Sequence, residues 1–254
     1  MAVIVATTAA STRGGFGCSR KLWKAGDMRI GILGGTGPAG SALGARLASV
    51  GYEVVIGSRS RYRAMEARDG QVEKWPELAP RLGFGDNAGA AECDLVVIAT
   101  PWDSAATTAC EVTGALEGKV LVSMANALVR VGHEFQPLVP PRGSVAAHVQ
   151  AALPLSRVVA AFHHLPATEL GHIGDPIDSD VLICGDDPDA VQTVVDIVGH
   201  IPGCRPLDAG ELSNAMAIEA FTAVLLQLNV RYRTRVAPKL TGIKGDPRAG
   251  SSGG

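Results

Sequence analysis

The feature that most restricts this chain is a glycine-rich turn, Gly35-Thr36-Gly37-Pro38-Ala39-Gly40, just after the apolar run Arg29–Leu33. Its glycines have the G-x-G-x-x-G spacing, and each has a physical reason. One permits a tight turn, one lets the backbone approach a pyrophosphate, and one lets a helix pack close to a strand. A helix that opens at the turn offers free N–H groups and the positive end of its dipole to phosphates. Alone the pattern is weak, because a glycine-rich turn is often only a turn. Here Ala42, Leu43, Leu47 and Val50 come next at helical spacing, so the turn joins a strand to a helix at the start of a βαβ unit. In that setting it predicts dinucleotide binding.

Strand and helix signals alternate along the rest of the chain. Gly51 ends the first helix, and residues 52–56 form a second strand. Residues 61–73 are a polar helical or loop segment, 82–84 a short strand and 88–92 a short helix. Strands are expected at 95–99, 120–123 and 157–162, with one helix over 103–116. Strands this uniformly apolar are buried on both faces, as in a parallel sheet. A further strand at 180–184 leads to a helix over 188–198, with Asp187 as N-cap and Pro188 as first residue. A long last helix spans 213–235, capped by Ser213. The fold class is therefore α/β: a Rossmann-type doubly wound parallel sheet with a small C-terminal α/β extension ending in a long helix. The expected organisation is a flexible extension over 1–27, a nucleotide-binding domain over 28–168, a C-terminal extension over 169–244 and a disordered tail over 245–254.

Composition excludes several classes. A net charge of −2 and only 4% aromatic residues argue against a nucleic acid partner. No apolar run reaches the roughly 20 residues that span a bilayer. The five cysteines, Cys18, Cys93, Cys110, Cys184 and Cys204, are widely spaced and contain no C-x-x-C, so neither a disulfide framework nor a zinc knuckle fits. They suit a reducing, cytoplasmic setting. The apolar positions Ala217, Ile218, Phe221, Val224, Leu225 and Leu228 of the last helix could support a homodimer.

Three further sites carry chemistry. An NAD site usually has Asp or Glu at the end of the second strand, to bind the ribose hydroxyls. This chain instead has Ser58 and Arg59 there, with Arg63 one helical turn on. A hydroxyl and guanidinium groups suit the 2′-phosphate of NADP. Next, Pro101 and Trp102 come after the strand at 95–99. Trp102 either walls a bound ring or packs on the next helix. Finally, His163 and His164 point opposite ways if the backbone is extended. They are either a structural pair or one of them faces a ligand. With no Cys or carboxylate to complete a set, metal is not expected.

Taken in order, Gly34-Gly35-Thr36-Gly37, Gly57-Ser58-Arg59, Pro101-Trp102, His163 with Pro166-Ala167, Cys184-Gly185-Asp186-Asp187, Arg205 to Gly210, and Leu212-Ser213-Asn214 resemble the NADPH-dependent F420 reductases. The resemblance covers roughly residues 28–244. It implies hydride transfer between NADP(H) and the deazaflavin coenzyme F420, both small-molecule cofactors acting as substrates. It implies that Thr36, Gly37, Pro38 and Ala39 touch the NADP phosphates, and that Ser58, Arg59 and Arg63 hold the 2′-phosphate. It puts Trp102 and Ala167 beside NADP and His163 near the deazaflavin. Pro101, Trp102, Pro166 and Ala167 would then form a flat apolar slot. Direct hydride transfer needs proximity and excluded water more than an acid or base, so no catalytic acid or base is named. The resemblance is weakest at the N-terminal extension, at Pro38-Ala39 and over 124–155. Two rivals are a reductase of another acceptor (flavin, metal chelate, imine or carbonyl) and a non-catalytic NADP sensor. The imine or carbonyl reductase would want a proton donor and a larger helical domain.

Overall fold

A computed structural model describes residues 28–243; the expected extension and tail lie outside the described residues. The first half runs β1 (Arg29–Leu33), α1 (Pro38–Ser49), β2 (Glu53–Ser58), α2 (Arg61–Lys74), β3 (Leu82–Asp86), α3 (Asn87–Ala91) and β4 (Leu95–Ile98). Then come α4 (Ala105–Cys110), α5 (Thr113–Leu116), β5 (Val120–Ser123), β6 (Leu128–Val131), β7 (Glu134–Pro137), α6 (Val145–Ala152) and β8 (Arg157–Ala160). The chain closes with α7 (Ala167–Gly171), β9 (Ser179–Gly185), α8 (Pro188–Gly199), β10 (Cys204–Asp208) and α9 (Ala215–Tyr232).

Eight strands make one sheet in the order β10-β9-β8-β5-β4-β1-β2-β3. The doubly wound expectation holds, with one exception: β9 runs antiparallel to β8. Their link contains only the five-residue α7, not the full-length crossover helix that returns a chain to the start of a parallel neighbour. Alternation along the strands explains why they are apolar throughout. Leu95 and Val97 of β4 face a core that includes Leu43, Leu47, Val194 and Ile197. Val96 and Ile98 face a second core with Ala105, Val149 and Ile218. A strand covered on both sides has no polar face to show.

Arg46 ties α1 to the chain after β8. It is fully buried. Its guanidinium donates to the carbonyls of Glu169 (2.8 Å), Leu170 (3.1 Å), His172 (2.6 Å), Ile173 (3.1 Å) and Asp175 (2.9 Å). Glu169 and Leu170 lie in the last turn of α7 and the other three residues in the turn that follows, so five carbonyl oxygens turn negative partial charge toward a buried cation.

Several expectations need correction. The helix expected over 103–116 is a 3-10 turn at Trp102–Ser104 and then α4 and α5. Thr107, Thr108, Val112, Thr113 and Gly114 are poor helix formers, and the Thr113 hydroxyl bonds back to the Cys110 carbonyl at 2.8 Å. Ser213 is not the cap of the last helix: it lies inside the 3-10 turn Leu212–Asn214, and α9 starts at Ala215. Nor does that helix reach residue 235; it stops at Tyr232, with Arg233 left-handed. The strand β10, the hairpin β6–β7 and the helix α6 are additional to the expected elements. Asp187 does cap α8, accepting from the Ala190 N–H at 2.7 Å. No helix among the described residues is long and apolar enough to cross a membrane.

Candidate functional site

The glycine-rich turn leaves β1 and enters α1. The residue with positive φ is Gly34 (φ 68°), one before the motif. A Cβ on Gly34 would stand 2.4 Å from Thr100 Cγ2. The Gly34 N–H donates to Asn87 Oδ1 at 3.3 Å, and the Gly35 N–H to the Gly57 carbonyl at 2.9 Å. These bonds hold the turn against the ends of β2 and β3. A Cβ on Gly40 would lie 2.9 Å from both Ala99 Cβ and Gly35 Cα, so α1 packs where only glycine fits. A Cβ on Gly37 would meet no protein atom within 4 Å. Gly37 is also the N-cap of α1 and Pro38 its first residue. Proline has no N–H to offer, so the free donors of the first turn begin at Ala39.

Beside this turn lies a cleft of about 270 Å³. It brings together Thr36, Gly37, Ser58, Arg59, Arg63 and Pro101 of the expected residues. No carboxylate among the described residues lines it. Ser60 caps α2, accepting from the Arg63 N–H at 3.5 Å, and so sets Arg59 just before the helix and Arg63 in its first turn. Open space at Gly37, a helix N-terminus and two guanidinium groups with a hydroxyl fit a dinucleotide bearing an extra phosphate.

The cleft also takes in Thr100, which precedes Pro101-Trp102 in the sequence, and Asn87, Ser104 and Thr108, which sequence reasoning missed. For Asn87 a signal was present: it lies just past the carboxyl end of β3, and ligands bind at such ends in this architecture. Gly35, Pro38, Ala39, Gly40, Trp102, His163, Pro166 and Ala167 do not line this cleft. Trp102 is half-buried and packs against the core beneath α4.

The two histidines part company. The His164 ring donates from Nε2 to the Ile218 carbonyl of α9 at 2.8 Å. His163 is buried, and neither ring nitrogen has a hydrogen-bond partner among the described residues. The Met124 backbone lies beside its ring without meeting hydrogen-bond geometry. Burial, with His164 alongside, pushes the His163 pKa down to about 3, so the ring is neutral near pH 7. Two hydroxyls share its situation: Thr100 Oγ1 and Ser123 Oγ are buried without partners. These three residues stand at or just beyond the carboxyl ends of β4, β5 and β8, which are neighbours in the sheet. Unsatisfied buried polar groups are uncommon in folded proteins and point to a missing partner. Among the described residues, no three His, Cys, Asp or Glu side chains stand together as metal ligands.

Residues 29–127 match the family described as NADP oxidoreductase, coenzyme F420-dependent. The F420-dependent NADP reductase of Methanocaldococcus jannaschii is 36% identical over 213 residues, covering 82% of this chain and 95% of that protein. The enzyme of the same name from Methanothermobacter marburgensis is 33% identical over 223 residues, with 83% and 96% covered. A crystal structure described as an F420-dependent NADP-reductase from Arthrobacter superposes with a TM-score of 0.68 at 28% identity, covering 83% of this chain and all of that one. An imine reductase from Bacillus cereus shares the fold alone, at 17% identity and a TM-score of 0.54 over 80% of this chain and 60% of its own.

Proposed function

The chain belongs to the F420-dependent NADP reductases, and from that premise we propose how its residues share the work of moving a hydride between NADP(H) and coenzyme F420. It is an oxidoreductase that uses both cofactors as substrates. When bound, NADPH supplies a hydride from its nicotinamide C4 and the deazaflavin takes it at C5.

In this reading Thr36, Gly37 and the α1 N-terminus, with Pro38 and Ala39 in its first turn, hold the diphosphate. Gly35 and Gly40 let the turn and helix close up beneath it. Ser58, Arg59 and Arg63 hold the 2′-phosphate. Pro101, Trp102, Pro166 and Ala167 would flank the nicotinamide and deazaflavin rings and keep water out. His163, neutral and without a partner of its own, hydrogen-bonds the polar edge of the acceptor ring and sets its orientation. No residue is assigned as acid or base, because hydride transfer would need proximity and excluded water more than a proton donor. Residues 28–168 serve NADP, and 169–244 complete the acceptor side. Two copies pair through α9, a reading supported by Met216, Phe221 and Val224, which stand exposed on that helix. Residence in the cytoplasm belongs to the same reading, supported by the four described cysteines, which are unpaired.

The observation that carries the cofactor assignment is a cleft with Ser58, Arg59 and Arg63 on its wall and no carboxylate among the described residues that line it. The test is NADPH oxidation with F420 as acceptor, monitored by absorbance, with NADH in parallel. Turnover with NADPH at least about tenfold more efficient than with NADH is expected, since a charge-assisted bond contributes about 1.5–3 kcal/mol. Arg59→Ala is expected to weaken NADPH and leave NADH nearly untouched. Equal use of both nucleotides by the wild type would remove the 2′-phosphate assignment. Tight NADPH binding without F420 reduction would remove the assigned acceptor.

A further inference from the structure

We propose that Asn126 and Thr222 are positioning residues that hold His163 in place for the acceptor ring; this assignment rests on the reading of His163 given above. The residue before it, Phe162, has φ 66°. A bulky aromatic residue enters the left-handed region only where the surroundings hold it there. Those surroundings are specific. The Ala161 N–H donates to the Ser123 carbonyl at 3.1 Å. The Asn126 side-chain amide donates to the His163 carbonyl at 3.2 Å. The Thr222 hydroxyl, from α9, donates to Asn126 Oδ1 at 3.0 Å and lies 3.5 Å from the same His163 carbonyl. On the other side of His163, the His164 ring is fixed to the Ile218 carbonyl.

Two segments far apart in sequence therefore converge on the carbonyl of His163, while its ring nitrogens have no partner among the described residues. A ring with no hydrogen bond of its own takes its direction from the backbone that carries it. Loss of the Thr222–Asn126–His163 chain frees the His163–His164 peptide to rotate, and the imidazole then misses the ring edge. The NADP phosphates lie on other elements, α1 and α2, and do not feel the change.

The test uses Thr222→Val, which keeps the side-chain shape and removes the hydroxyl, with Asn126→Ala, His163→Ala and the rescue variant Thr222→Ser. Steady-state kinetics with F420 and a direct NADPH-binding titration separate the two halves of the site. We expect Thr222→Val and Asn126→Ala each to lose about five- to tenfold in kcat/KM for F420, the scale of one neutral hydrogen bond. NADPH affinity should stay unchanged, and Thr222→Ser should match the wild type. Adding Thr222→Val to His163→Ala should cost nothing further, because residues acting through one group are not additive. The proposal is overturned if Thr222→Val keeps wild-type kcat/KM. It is equally overturned if the loss is undiminished on the His163→Ala background, or if NADPH affinity falls in parallel. Should Asn126→Ala not fold, Thr222→Val decides alone. If His163→Ala itself leaves F420 reduction intact, the reading of His163 fails as well; if only His163→Ala impairs it, the positioning claim fails by itself.

Discussion

Gly37 and Gly40 are one helical turn apart, yet an added methyl group would meet opposite surroundings. At Gly40 it would press on Ala99 and Gly35 at 2.9 Å, and at Gly37 it would project into empty cleft. Gly40→Ala should therefore push α1 off the sheet and lower stability by about 1–3 kcal/mol, the usual scale of overpacking. Gly37→Ala should leave the stability within about 0.5 kcal/mol of wild type, as at an open surface site, while the methyl group occupies the space assigned to the diphosphate. Chemical denaturation and an NADPH titration on the two variants check this; a Gly37→Ala variant with undiminished NADPH affinity would mean that the phosphates lie elsewhere. The G-x-G-x-x-G spacing is readable along the chain. Which glycine is tight and which is open is not, because Ala99 comes from beyond β4. Asn87 escapes notice for the same reason: its bond to Gly34 spans 53 residues.

At the scale of elements, α6 and α9 meet through one buried carboxylate. Glu219 accepts from the Val145 and Ala146 N–H groups at 2.8 and 3.1 Å, and so satisfies two free donors at the start of α6. Burial outweighs those bonds and raises its pKa from 4.5 to about 7. Between these two values the folded chain keeps a proton that the unfolded chain releases. The contribution to stability is thus full below pH 4.5 and is lost as pH rises to about 7. Glu219→Gln cannot lose it. The melting temperature of the Gln variant relative to wild type should climb across that window and level off above it. A difference that stays constant from about pH 4.5 to about pH 8 would show that Glu219 does not titrate there. The sequence does not show this pairing. Apolar spacing reveals the last helix, but nothing along the chain marks α6 as its partner.

Considered as a whole molecule, α9 faces both ways. Ile218 and Leu225, two of the six apolar positions that suggest a dimer, are buried in the chain's own core. Met216, Phe221 and Val224 remain exposed. If two copies pair there, light scattering should give twice the chain mass, and Val224→Asp should return a monomer. A monomeric wild type at micromolar concentration would end that reading. The doubly wound sheet, its glycine-rich turn, the basic end of β2 and the Asp187 cap can all be read from the sequence, because each depends on side chains a few residues apart. The reversal of β9, the neutral and unpartnered ring of His163, and the burial of Arg46 among five carbonyls cannot. Leu170, for instance, lies 124 residues from the arginine it helps to satisfy. Local spacing decides which elements form and where a phosphate can dock. Desolvation and pairing of polar groups are settled only when distant segments pack, and in this protein those two effects fix the state of Arg46, His163 and Glu219.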